Sequence, residues 1–268
     1  MPIVAIENNP YYYKVSKRGL NKEHAAVCLH GSGAEGIVWG YQLSRLSRYF
    51  KIIVPDLPGH GKSGGPALGS AAEYAGWLER FIAELGLSCF FLLGHSFGGA
   101  IVQEFARAYP DKLKGLVLVG TGTSFKLSKM YRKLHEQGID FSADRLCSKA
   151  TRGMVLPEPF KKGYEMLRKN SSRTLHADLL AAAQFDSSPW ISSVKLPTLV
   201  VWGNNDMITP RKLPQDLAGC LPAGEFRIFQ DAGHVVMLDA RDEFNEAIKG
   251  FMEKQINIVP EGYEKCLL

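Results

Sequence analysis

Gly94-His95-Ser96-Phe97-Gly98 sets a serine between two glycines, after the apolar run Phe90-Phe91-Leu92-Leu93 and before the helix-like stretch from Ala100 to Ala106. A serine hydroxyl is a weak nucleophile until a base removes its proton, and that base needs an acid group to orient it. The strand, tight turn and helix expected here would hold the hydroxyl in a strained turn, exposed at the carboxyl end of a sheet. A side chain at position 94 or 98 would collide across so sharp a bend. The helix would aim unpaired backbone N–H groups at negative charge forming beside Ser96. A glycine-rich turn with an incidental serine has the same local pattern, so the partners decide.

The partners should be an acid and then a histidine, each just after a strand. Pro197 to Trp202 reads as a short buried strand and runs into Gly203-Asn204-Asn205-Asp206. Glu225 to Phe229 reads as the next strand, followed by Gln230-Asp231-Ala232-Gly233-His234. The order Ser96, Asp206, His234 is that of enzymes presenting serine on a strand-to-helix turn. Among seven histidines, His24 and His135 lie in polar stretches and His176 has no strand-end context. Only His234 follows a strand and an Ala-Gly turn. The strand Gly115–Val119 leads into Gly120-Thr121-Gly122-Thr123 without a carboxylate, so Asp206 has no competitor there. Asp231 and Asp239 flank His234 too closely to reach around its ring, and solvated or capping roles suit them.

These residues need a sheet to carry them. Residues 11–18, 25–29, 51–55, 89–93, 114–119, 197–202 and 225–229 read as strands, most of them apolar runs buried on both faces. Stretches near 36–49, 70–86, 97–109, 210–218 and 240–254 carry helical periodicity. Such alternation implies an α/β fold with a mainly parallel sheet covered on both sides. From about 123 to 189 the alternation breaks. Helical patterns at Lys129–Gln137, Ala143–Ala150, Glu158–Lys169 and Thr174–Ala183 occur there without a convincing strand.

Four motifs, in order, make the sequence resemble the α/β-hydrolase fold family, as a serine esterase-like member with a helical cap. They are His30-Gly31-Ser32-Gly33, the stretch Asp56-Leu57-Pro58-Gly59-His60-Gly61-Lys62-Ser63, the turn around Ser96, and Gly203 to Asp206 with Gly233-His234. The likeness covers nearly the whole chain apart from the middle and the last dozen residues. It implies a mostly parallel eight-stranded-type sheet with helices on both faces. The core would comprise 1–122 and 190–268, and 123–189 would form the cap. It further implies an oxyanion hole from the backbone N–H groups of Ser32 and Phe97, with His30, His60 and His95 bracing loops and strand ends. Trp39, Met130, Met154, Phe160, Met207 and Val235 are the expected substrate-binding residues.

The expected activity is cleavage of a carboxylic ester, thioester or related activated carbonyl of small to medium size, through an acyl-enzyme. Serine at position 96 argues against dehalogenase and epoxide-hydrolase relatives, which place aspartate there. Some C–C bond hydrolases have Asn where His95 stands, which favours an esterase. Diketone C–C cleavage, lactone hydrolysis and a small-molecule receptor on the same fold are the alternatives, because fold does not dictate substrate. No metal and no organic cofactor is expected.

At 268 residues the chain suits one large α/β domain with an insertion. It has no run near 20 apolar residues, and the amino end, with Glu7, Asn8, Asn9 and Pro10, has no basic-then-apolar leader. Five scattered cysteines without a C-x-x-C pair read as reduced packing residues, and a cytoplasmic location is expected. The formal charge of +5 is concentrated in residues 123–190, which hold 12 Lys and Arg against 7 Asp and Glu. A solvated helical surface accounts for it. The sharper reading is a docking face for a substrate carboxylate or an acidic carrier protein, involving Lys161, Lys162, Arg168 and Lys169. The excess is too small, and lacks a recognition module, for a nucleic-acid partner. The expected partner is a small-molecule acyl substrate. Oligomeric state and the role of the tail 256–268 are not legible.

Overall fold

In the strand Phe90–His95, successive side chains feed two separate cores. Phe90 and Leu92 enter one and Phe91 and Leu93 the other, all fully buried. Only a sheet covered on both faces makes such a continuous apolar run favourable. The structure, a computed structural model, describes residues 2–136 and 172–257. Among these, eight strands form one sheet: β1 (Ile3–Ile6), β2 (Asn9–Val15), β3 (Ala25–Leu29), β4 (Lys51–Pro55), β5 (Phe90–His95), β6 (Leu113–Val119), β7 (Thr198–Gly203) and β8 (Gly224–Phe229). Their order is β1-β2-β4-β3-β5-β6-β7-β8. β1 and β2 pair antiparallel, as do β2 and β4, and every other pairing is parallel. The expected mostly parallel sheet is therefore observed. β1 was not expected: its apolar run is only four residues long, and a turn at Glu7 and Asn8, with φ values of 49° and 65°, sets it against β2.

One face of the sheet is covered by α2 (Ala71–Glu84) and α3 (Phe97–Ala108), which supply Trp77, Phe81, Ile101 and Phe105 to the first core. Ser70 caps α2 by accepting the Glu73 N–H at 3.2 Å, while the Glu73 carboxylate accepts the Gly69 N–H at 3.1 Å. The other face is covered by α1 (Gly40–Leu46) and, near the carboxyl end, by a short helix, Val236–Asp239, and the long Arg241–Asn257. These supply Leu46, Met237, Phe244, Ile248 and Phe251 to the second core.

Between β6 and β7 the chain leaves the sheet. α4 (Lys126–Glu136) and α5 (Ser172–Gln184) pack against each other there. The expected patterns Ala143–Ala150 and Glu158–Lys169 lie outside the described residues. The two connections to the sheet are pinned together: Ser124 bridges Asp186, and the Ser187 N–H donates to Thr123 O at 2.9 Å. Gln103 of α3 locks both, donating to Gly122 O at 3.1 Å and accepting from Ser187 Oγ at 2.6 Å.

One expectation about cysteine is corrected. Cys28 is buried and free and Cys220 exposed and free, but Cys89 is disulfide-bonded, with its partner outside the described residues. Cys89 is half-buried just ahead of β5, accessible to a second cysteine, whereas the packing role assumed a place inside the strand. Cysteine content thus carries no argument about compartment. Among the described residues no helix is long and apolar enough to cross a membrane.

The loops after β7 and β8 touch where β7 ends. A Cβ on Gly203 would lie 2.2 Å from Gly233 O and 2.5 Å from Ala232 O, both rigid backbone atoms. Gly76, on α2, has nothing within 4 Å. Gly203→Ala should therefore lower unfolding free energy by about 1–3 kcal/mol through overpacking. Gly76→Ala should raise it by roughly 0.5–1 kcal/mol through helix propensity. Urea denaturation of the two variants checks this, and equal effects would contradict it.

Candidate active site

Parallel strands deliver their following loops to one edge, and three of those loops hold the candidate residues. Ser96 follows β5, Asp206 follows β7 and His234 follows β8. Ser96 has φ 52° and ψ −119°, a backbone conformation disfavoured for a residue with a side chain. Its N–H donates to Val119 O at 2.8 Å, and its carbonyl accepts the Gly99 N–H at 2.9 Å. The bend is as tight as expected. A Cβ on Gly94 would stand 2.4 Å from Gly98 O, and one on Gly98 would stand 2.5 Å from His30 O.

Asp206 and His234 are directly bonded. His234 Nδ1 lies 2.9 Å from Asp206 Oδ2, with the carboxylate fully buried and the imidazole 13% exposed. Asp206 Oδ1 accepts the N–H groups of Ile208 and Thr209 at 2.8 and 2.9 Å, which fixes the carboxylate plane. An ionised carboxylate only accepts, so Nδ1 carries the proton and Nε2 of the neutral ring carries the lone pair. The loop is tied down further: Thr209 Oγ1 donates to Gly120 O at 2.9 Å and Trp202 Nε1 donates to Thr209 O at 2.8 Å. Gly120 leaves room for the base, since a Cβ there would meet His234 Nδ1 at 3.1 Å.

His95 links the serine turn to the histidine loop. Its Nε2–H donates to His234 O at 3.0 Å, and the two rings stand 4.7 Å apart. Among the described residues no hydrogen bond engages Ser96 Oγ, which leaves it open to an incoming group; such contacts commonly tighten only when substrate binds. The N–H groups of Ser32 and Phe97 also have no partner among the described residues. Phe97 opens α3, where unpaired N–H groups are inherent. The Gly31 backbone runs against the serine, so that a Cβ there would be 3.0 Å from Ser96 Cβ.

The expected substrate-binding residues are scattered. Trp39 is fully buried, tilted against Phe244 in the second core, and Val235 is 4% exposed in the same core. Met207 and Met130 are 51% and 49% exposed. Met154 and Phe160 lie outside the described residues. Asp239 has the capping role, accepting the Gly233 N–H at 3.0 Å, and Asp231 is exposed. Asp178, which sequence reasoning passed over, is as heavily bonded as Asp206, with three hydrogen bonds. It accepts from Gly33 N–H, His60 Nε2 and Tyr74 Oη. Nothing local in the sequence marks it, because it sits in a helix far from every motif. Among the described residues, no group of three or more His, Cys, Asp or Glu could hold a metal ion.

A family model described as alpha/beta hydrolase fold matches residues 26–240. The chain belongs to this family and is a hydrolase that resembles esterases. A pimeloyl-[acyl-carrier protein] methyl ester esterase from Vibrio vulnificus is 26% identical over 85% of this chain and 94% of its own. A 2-hydroxy-6-oxononadienedioate/2-hydroxy-6-oxononatrienedioate hydrolase from Escherichia coli is also 26% identical, over 87% and 88%. The solved structure of a thermophilic esterase from Thermogutta terrifontis superposes with a TM-score of 0.78 and 26% identity, covering 94% of this chain and 97% of that one.

Two histidines at this edge are kept neutral. Burial pushes His95 well below the ordinary imidazole value, helped by electrostatic repulsion with the neighbouring His234 ring, and burial does the same to His30, helped by His60. Their bonds agree. His30 Nε2 accepts the Leu57 N–H at 3.0 Å, so His30 Nδ1 carries the proton that faces Gly31 O at 2.9 Å. A histidine whose folded value is depressed costs stability as pH falls below its unfolded value of 6.5. Each such ring should steepen the loss by about 1.4 kcal/mol per pH unit. Unfolding free energy measured in urea should fall less steeply between pH 6.5 and 5 in His95→Asn than in the unmodified protein, and equal slopes would refute this.

Proposed function

We propose that the protein is a serine hydrolase that cleaves a carboxylic ester, thioester or related activated carbonyl of a small to medium acyl substrate. The observation that carries this reading is that Ser96, on a strained backbone and with no hydrogen bond to its Oγ among the described residues, shares one sheet edge with an imidazole whose Nδ1 is already engaged by a buried carboxylate. In this scheme Ser96 Oγ attacks the carbonyl carbon while His234 Nε2 takes its proton. The resulting oxyanion receives hydrogen bonds from the Ser32 and Phe97 N–H groups. Donors fixed in advance cost no reorganisation when charge appears, which is worth about 3–4 kcal/mol for a donor. Asp206 holds the tautomer and stabilises the imidazolium that forms. His234 then protonates the leaving group, the acyl group remains on Ser96, and water deprotonated by His234 releases the acid.

In this reading the insertion between β6 and β7 is a cap, with α4 and α5 as its described parts. Met130 of α4 and Met207, in the loop after β7, are the expected substrate-contact residues that are exposed. The ester specificity follows the Vibrio relative and the Thermogutta structure, both named as esterases. A second reading has its own observation. That relative is named for an acyl-carrier-protein ester, and this chain concentrates its positive charge in residues 123–190. Delivery of the acyl group by an acidic carrier would make activity on the carrier-bound ester fall with added salt, while a free methyl ester would be indifferent. Lys161, Lys162, Arg168 and Lys169, the side chains first assigned to that face, lie outside the described residues.

Hydrolysis of short-chain p-nitrophenyl esters tests the reading. Ser96→Ala should lower kcat by more than about 10⁴-fold, and Asp206→Asn by about 10⁴-fold, with both variants folded. A fluorophosphonate should label Ser96 alone. Undiminished turnover by Ser96→Ala would overturn the assignment. Turnover of ring-opened diketones exceeding that of every ester would move the chemistry to C–C cleavage.

A further inference from the structure

The carboxylate of Asp178 is buried in a place where nothing in the catalytic scheme requires one. Its side chain is 1% exposed, and it accepts three hydrogen bonds from three different parts of the sheet domain. Oδ2 receives the Gly33 N–H at 2.8 Å and lies 2.7 Å from His60 Nε2. Oδ1 receives the Tyr74 hydroxyl of α2 at 3.0 Å. Asp178 itself belongs to α5, in the insertion, and Thr174 one turn earlier donates to Gly59 O at 3.2 Å.

His60 explains how this charge is tolerated. Its Nδ1 faces Pro58 O at 2.9 Å and its Nε2 faces Asp178, so both ring nitrogens meet acceptors and both carry protons. Burial opposes that charge, but the Asp178 hydrogen bond and charge and the Pro58 carbonyl outweigh it and raise the imidazole above its usual value. The result is an ion pair sealed between the insertion and the loop after β4. Such a pair is a poor source of stability compared with apolar packing, and its best-attested use is to specify geometry.

The geometry it specifies is that of the Ser32–Gly33 peptide. The Gly33 N–H is the hydrogen of that peptide, Gly33 has φ 61°, and the Ala34 N–H closes the turn onto Gly31 O at 3.2 Å. With the Ser32–Gly33 peptide held at one end and the Gly31 carbonyl held by the Ala34 N–H at the other, φ and ψ of Ser32 are restricted together, and so is the direction of the Ser32 N–H. We propose that Asp178, ionised and paired with His60, is a positioning residue that locks the Ser32–Gly33 peptide so that the Ser32 N–H points at the oxyanion. The docking of α5 and the assembly of the oxyanion hole are then one event. The inference rests on the reading of Ser32 as an oxyanion donor.

Asp178→Asn keeps the size and removes one acceptor and the charge. With p-nitrophenyl butyrate, kcat should fall about 10–100-fold, somewhat less than the loss of a whole donor, with KM within about twofold. The affinity of a trifluoromethyl ketone, which forms a tetrahedral adduct, should fall in parallel with kcat. Tyr74→Phe, which leaves the Gly33 and His60 contacts intact, should keep kcat within about threefold, because its hydroxyl does not touch the peptide in question. Should Asp178→Asn not fold, nitrogen-15 spectra of the unmodified protein at pH 7.5 still decide. His60 must show two ring N–H protons, and a singly protonated ring overturns the proposal. So does a folded Asp178→Asn with unchanged kcat and ketone affinity, or with only KM raised. If the unmodified protein neither takes a fluorophosphonate on Ser96 nor hydrolyses any ester, it is the hydrolase reading that fails.

Discussion

The strained backbone of Ser96 is the constraint on which the rest of the site depends. A non-glycine residue at φ 52° costs on the order of 1–3 kcal/mol and persists only where its surroundings leave no alternative. Here they leave none. The Ser96 N–H is drawn to Val119 O on the neighbouring strand. The Gly94 and Gly98 backbones press together below it, and α3 is anchored in the core through Ile101, Val102 and Phe105. Relaxing φ at Ser96 would swing α3 away from the sheet and unbury those side chains. Core burial thus holds a hydroxyl at the end of a strand, with its oxygen clear of every intramolecular hydrogen bond among the described residues.

Protonation around that hydroxyl is arranged by who faces whom. Four histidines lie within a few residues of the sheet edge, and each differs in its partners. His30 accepts a backbone N–H, His95 donates to a backbone carbonyl, His60 faces two acceptors and His234 faces a carboxylate on one side only. The first two are neutral because burial wins when no anion is at hand. His60 is charged because Asp178 is there. His234 alone has one nitrogen committed and 13% of its side chain open, the combination required of a group that takes and returns a proton. In the proposed mechanism, neutrality at His95 matters as much as the bond to Asp206. A second charge on a ring 4.7 Å away would oppose formation of the His234 imidazolium.

Much of this could be read from the chain. The parallel strands showed as unbroken apolar runs, and strand-end positions of Asp206 and His234 follow from those runs plus short glycine turns. The antiparallel β1 could not be read in the same way, because Ile3–Ile6 is an apolar run of only four residues, at the edge of the sheet with alternate positions exposed. Trp39 invited a pocket role as a large aromatic near a glycine loop. Its fate as core filler against Phe244 depends on a helix some two hundred residues later, which no local pattern encodes. Asp178 escaped notice for the same reason. A single aspartate in Leu175–Leu180 reads as a solvent-facing helix position until the fold brings Gly33, His60 and Tyr74 to it. The disulfide at Cys89 likewise depends on distant chain, and composition alone argued against it.

Substrate choice separates from chemistry along the same line. The two curated relatives, an ester hydrolase and a hydrolase of oxo-dienedioates, match this chain about equally at 26% identity. Both matches cover most of this chain, 85% and 87% of it, and the two relatives are named for different reactions, so family membership does not by itself distinguish an ester from a carbon–carbon bond. What differs between those reactions is the leaving group: an alkoxide needs one proton, whereas a carbanion needs a ketone or enol to accept its electrons. A site for the latter must grip a second polar group beyond the scissile carbonyl. At the described edge the buried pair of His60 and Asp178 has its polar atoms committed to each other, to backbone and to the Tyr74 hydroxyl. That pair is therefore not free to grip a second polar group, and the choice between an ester and a carbon–carbon bond turns on other residues around the site.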